Sequence, residues 1–188
     1  MDVDLLGWVV VAFWSAFRVT SWVVSGRPAL MLAGAVALIS ALPIVSGLMV
    51  AVLAPFGLLL PALAIRDVLG RTGLRVERFH PLEILLALAA LTLFIASSIG
   101  VFPFDPYRLG YGVLAPAIVS LCLVVWAVLR HHWLILIATL AAQTLWVLGV
   151  YGNNFFDHLF HALLVPCCAI WLVCWGVQSI WRPRDAPA

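Results

Sequence analysis

Amides, a carboxylate and two imidazoles gather in one stretch of this chain, Tyr151-Gly-Asn-Asn-Phe-Phe-Asp-His-Leu-Phe-His161, while nearly everything around it is apolar. Two chemistries suit these residue types. Imidazole nitrogens of His158 and His161, with a carboxylate oxygen of Asp157, are donors of the kind that zinc and other transition metals take. Asp157 and His161 would also share a face if the last helix begins near Phe155, and a carboxylate beside an imidazole can move a proton. His-x-x-His is not a metalloprotease signature and no His-Glu-x-x-His occurs, so a further ligand would have to come from Asp105 or elsewhere.

The competing reading is architectural. Asn154 suits a helix N-cap, and Asp157 stands three residues on, where a capping carboxylate belongs. Asp105-Pro106 reads the same way, as a cap followed by a first-turn proline. Capping accounts for Asn154, Asp157 and Asp105, but not for the two histidines.

Composition fixes the setting. Of 188 residues 65% are hydrophobic and 10% charged, and the mean hydropathy is +1.17, far from the soluble range. Apolar runs able to cross ~30 Å of hydrocarbon recur from end to end, so the expected fold is all-α, a polytopic transmembrane helical bundle forming one integral membrane domain over residues 1–188. No block of Lys and Arg with interleaved aromatics occurs, which excludes nucleic acid as an expected partner. Cys122, Cys167, Cys168 and Cys174 lie inside apolar segments without paired spacing, as small buried hydrophobes do. The acidic start Met-Asp-Val-Asp and the lack of a small-x-small cleavage site favour a retained membrane segment.

About seven spans follow, or six with an interfacial first helix. Residues 5–24 form the first, interrupted by Arg18, which can snorkel toward Arg27. Residues 29–65 carry no charge and read as a hairpin turning once, at Pro43 to Gly47, with a turn near Pro55-Phe-Gly57 as the alternative. The basic connection Arg66 to His80 precedes His80-Pro81-Leu82-Glu83, a helix start with proline at the first position and an acid in the first turn. Spans at 82–101, 113–129, 133–150 and 158–180 complete the set.

Arg66, Arg71, Arg75, Arg78, Arg130, Arg182 and Arg184 then fall on one side against Arg108 on the other. By the positive-inside rule the N-terminus is outside and the C-terminus cytoplasmic, as in a bacterial inner membrane. That topology puts the 102–111 loop and the 151–161 stretch together at the outer face. Asp105, Tyr107, Arg108, Asn153, Asn154, Asp157, His158 and His161 would converge there. Asp157, His161, Asp105 and Arg108 are the catalytic candidates, and His158, His161 and Asp157 the metal candidates. A haem held by two His of this chain is disfavoured, since His131 and His132 sit ~25 Å of bilayer away from His158 and His161. Gln143, Thr144, Ser97 and Ser98 read as hydrogen-bonding contacts between helices.

Arg18 is the only ionisable group read at mid-depth, and no catalytic set is complete. The leading expectation is therefore a non-catalytic accessory or assembly subunit of a larger membrane complex, with the bilayer and other membrane subunits as partners. A membrane-embedded enzyme or metal-binding protein with the outer-face site is the alternative, and a small-solute transporter the third.

Overall fold

The computed structural model describes residues 3–24, 26–150 and 152–181, and no strand occurs among them. In chain order the described helices are α1 Val3–Val23, α2 Arg27–Ser40, α3 Pro43–Leu53, α4 Leu59–Arg71, α5 Pro81–Ser98, α6 Leu114–Leu129, α7 Trp133–Val147, α8 Phe155–Leu159 and α9 Leu164–Trp181, with a 3-10 turn Pro106–Tyr111 before α6. They fall in two compact units, Met1–Glu77 with Tyr107–His161, and Arg78–Pro106 with Ala162–Ala188.

The all-helical class is as expected from hydropathy; the helix lengths differ from the spans. By length and composition α1 and α5 suffice to cross a membrane, and α2 with α3 does so only as one element bent by 83°. At 1.5 Å per residue, α6 and α7 are roughly 24 and 22 Å long, short of ~30 Å. The uncharged run 29–65 breaks twice rather than once. Pro43 opens α3 with no N–H to give back to α2, and Ala54, preceding Pro55, is held extended at ψ 151°.

In the first unit, α1 packs on α2 and α4, and α7 on α4, α6 and α8. Ala29, Ala33 and Ala37 form a buried row on α2 at helical spacing, and small side chains let backbones approach closely. Phe17 of α1 fills the space over Ala29 and Ala33. Arg18 has a partner there. Asp67 of α4 lies 3.6 Å from its guanidinium, accepts from the Trp14 indole at 2.9 Å, and pairs with Arg71 one turn on. Between α6 and α7, Ser120 donates to Gln143 at 2.7 Å, the helix-joining role expected of Gln143. Thr144 and Ser98 instead bond carbonyls of their own helices.

In the second unit, α5 packs on α9. Pro81 begins α5 as expected, the Glu83 carboxylate accepts from the His80 N–H at 2.7 Å, and His80 Nδ1 accepts from Leu82. A capping box thus starts a helix none of whose residues is buried.

Candidate functional site

The polar stretch, which contains α8, is held by two other loops of the first unit: residues 53–58 between α3 and α4, and residues 107–111 of the 3-10 turn. Asn154 starts α8 as an N-cap, accepting the Phe156 N–H at 2.9 Å. Its other groups are engaged as well. Nδ2 donates to the Tyr107 carbonyl at 2.8 Å, and the Asn154 carbonyl accepts from His158 Nδ1 at 3.0 Å, which fixes the proton on that nitrogen because a carbonyl can only accept. Asp157 stands in the first turn of α8, where a carboxylate complements the helix dipole, and its Oδ2 accepts the Tyr107 hydroxyl at 2.7 Å.

His161 does not continue this helix. A single last helix over residues 158–180 is the expectation, but α8 ends at Leu159 and α9 starts at Leu164. Asp157 and His161 therefore do not share the face on which their pairing was premised. Pro166, in the first turn of α9, has no N–H for the Ala162 carbonyl and so favours a break here, and tertiary contacts fix its geometry. Phe160 is extended at ψ 157°, and its backbone lies against Gly57 where a side chain would otherwise stand. The His161 ring donates from Nε2 to the Leu53 carbonyl at 2.8 Å and stacks on Phe56 with centroids 4.7 Å apart. Phe56 in turn donates its N–H to Asp4 at 2.8 Å, and Leu58 donates its N–H to the His158 carbonyl at 2.8 Å.

Electrostatics follow from burial. Desolvation lowers the His161 pKa and outweighs the hydrogen bond to Leu53 and the Asp4 charge, which act the other way. The shift favours the neutral ring, which donates from Nε2 to the Leu53 carbonyl. Burial, then the Asp157 carboxylate that accepts its proton, pushes the Tyr107 phenol well above its ordinary range.

Of the expected site, Tyr107, Asn154, Asp157 and His158 come together. His161 faces Leu53, Arg108 is exposed on the 3-10 turn, and Asn153 is exposed with its carbonyl accepting from Trp146 at 3.1 Å. Asp105 belongs to the second unit. Tyr151, Arg182 and Arg184 lie outside the described residues. Among the described residues no three of His, Cys, Asp and Glu are grouped to hold a metal ion.

The chain matches no family model, no curated protein and no solved structure. Its chemistry therefore has to be read from its own geometry.

Sequence reasoning missed Asp4, Leu53, Phe56 and Gly57 as neighbours of the polar stretch. The Pro55-Phe-Gly57 turn signal was the one local hint. It also left apart Arg66, Arg75, His131 and His132, which line a single cavity of about 340 Å³.

Proposed function

We propose that this chain is a multi-pass inner-membrane protein acting as a non-catalytic accessory or assembly subunit of a larger membrane complex, with the N-terminus outside and the C-terminus cytoplasmic. The carrying observation is how the polar stretch is used. The side chains of Asn154, Asp157 and His161 and the backbone carbonyl of His158 each make a hydrogen bond that closes one loop on another, which is the work of a scaffold. A helix as apolar as α5, with none of its residues buried, supports the same reading, since lipid or partner helices would cover it.

Purification in mild detergent tests the role. A stoichiometric second polypeptide should co-purify and survive size exclusion. A protein that runs alone as a monomer overturns it. The enzyme or metal alternative is separated by a variant pair. In a scaffold, Asp157→Asn still accepts the Tyr107 hydroxyl and should be nearly silent, and His161→Ala should lower only stability, by roughly 2 kcal/mol for one lost buried hydrogen bond and ring contact. At a metal or proton-transfer centre the same two changes would abolish bound metal or activity.

Topology gives an independent check. A cysteine replacing Arg108 should be labelled from outside, and a reporter fused after Arg184 should behave as cytoplasmic. Labelling of both from one side would sink the seven-crossing arrangement.

A further inference from the structure

Four described helices end in the same turn. The N–H two residues past the C-cap returns to a carbonyl five positions back, and the residue between takes positive φ. After α4 the bond is Leu74 to Leu69 at 3.1 Å, around Gly73 at φ 96°. After α5 it is Val101 to Ala96 at 3.0 Å around Gly100, and after α7 Val150 to Leu145 at 3.1 Å around Gly149. After α6 it is His132 to Ala127 at 2.8 Å, and the left-handed residue is His131 at φ 57°. Among the described residues His131 is the only non-glycine with positive φ. A β-carbon is disfavoured there, though histidine is among the side chains that tolerate it best, and the ring it carries packs 6.1 Å from that of Trp133.

The His131 ring lines the 340 Å³ cavity, a volume within the range of small-ligand sites. Arg66 reaches the cavity from α4, and Arg75 from the segment that returns after Gly73. Val76 holds that return close to the helix, since its side chain lies 2.8 Å from where a Cβ on Gly70 would stand. The third wall is the α6–α7 turn. His132, 3% exposed and packed at 5.1 Å against the Trp126 ring, sits at the N-cap of α7 and makes no side-chain capping bond. Trp133 and Leu134, in the first turn of α7, also line the cavity, and a helix leaves its first-turn N–H groups to outside acceptors. Glu77 is the one carboxylate of the lining, against two guanidiniums.

Guanidinium forks, imidazoles and a helix N-terminus arriving from three directions suit a tetrahedral oxyanion. We infer that the cavity between α4, residues 74–77 and the α6–α7 turn binds a phosphate group, and that its source is the headgroup of an anionic phospholipid. The lipid source follows from placement. Arg66 lies in the charged C-terminal half of α4 and the α6–α7 turn joins two apolar helices on the arginine-rich side, Trp133 is exposed beside them as interfacial tryptophans are, and basic pockets between membrane helices on that side recognise anionic headgroups. The lipid source rests on the proposed membrane topology, while the phosphate site rests on neither that topology nor an accessory role and survives the failure of both.

The test uses the full chain in detergent, titrated with phosphatidylglycerol, phosphatidylcholine or inorganic phosphate, with thermal unfolding and native mass spectrometry as readouts. Phosphatidylglycerol should be retained and raise the melting temperature, and phosphatidylcholine should do neither. Arg66→Gln with Arg75→Gln should weaken the lipid effect by about tenfold or more, the loss expected for a charge-assisted contact. His131→Gly should weaken it too while keeping or raising the lipid-free melting temperature, because glycine suits that backbone. This variant therefore cannot lose binding by misfolding. Arg130→Gln, outside the lining, should bind as the parent does. Equal binding by the parent, His131→Gly and the double variant overturns the site. Protection by inorganic phosphate with no added effect of phosphatidylglycerol overturns the lipid source.

Discussion

Gly57→Ala is expected to destroy the first unit. A Cβ at this position would run into the carbonyl, carbon and nitrogen of Phe160, all backbone atoms that cannot swing aside as a side chain would. Making room separates residues 53–58 from 158–161. That separation breaks the Leu58 to His158 bond at 2.8 Å, the His161 to Leu53 bond at 2.8 Å and the stack of His161 on Phe56. Phe56 is 1% exposed and would leave its seat. The combined loss should be about 4 kcal/mol or more, the range reserved for broken networks and core disruption, and comparable to the whole margin of many proteins. The readout is recovery of monodisperse protein in detergent together with its melting temperature. Gly47→Ala is the matched control. Gly47 lies inside α3 with nothing within 4 Å of its would-be Cβ, so alanine there should be neutral or stabilising by up to about 1 kcal/mol. Parent-like behaviour of Gly57→Ala would mean that the two loops are not locked together.

The contrast between these two glycines shows where sequence reading works. Local signals were legible: the proline and glutamate that start α5, Asn154 as an N-cap, and α6 and α7 within a few residues of their apolar runs. Contacts between distant segments were not. His161 meets Leu53 across 108 positions and Tyr107 meets Asp157 across 50, and no periodicity or spacing rule links such pairs. Arg18 was legible as a costly charge, but its partner Asp67 sat in a stretch read only as the start of a basic connection. His131 escaped for another reason. Glycine marks a left-handed turn in a sequence, and a histidine, though enriched there among other side chains, marks it far more weakly.

Asn154→Asp should be more damaging at neutral pH than its small change in shape suggests, and the damage should depend on pH. At an exposed cap the two residues are interchangeable. Here the side chain is 1% exposed, and it accepts from Phe156 with one end while donating to the Tyr107 carbonyl with the other. Gly110 packs so closely on its Oδ1 that a Cβ there would strike it. The substitution keeps the acceptor for Phe156 and replaces the donor by an oxygen that faces a carbonyl. Ionised, the new carboxylate is a buried charge opposite an acceptor, with a cost of roughly 3 kcal/mol or more. Protonated, it can donate to Tyr107 and restore the bond. Its folded-state pKa is therefore raised above the unfolded value of about 3.9. In that situation the folded state holds the proton longer, so the variant's stability relative to the parent is highest at low pH and falls as pH rises past the unfolded pKa, by about 1.4 kcal/mol per unit until the folded pKa is reached. Asn154→Ala separates charge from lost bonding. It removes the cap and leaves the Tyr107 carbonyl without its donor, at a cost of about 2–4 kcal/mol that does not vary with pH. Melting temperatures of the parent and both variants from pH 4.5 to 7.5 decide the matter. A gap between the parent and Asn154→Asp that stays constant over that range would place the side chain in contact with water rather than between the loops.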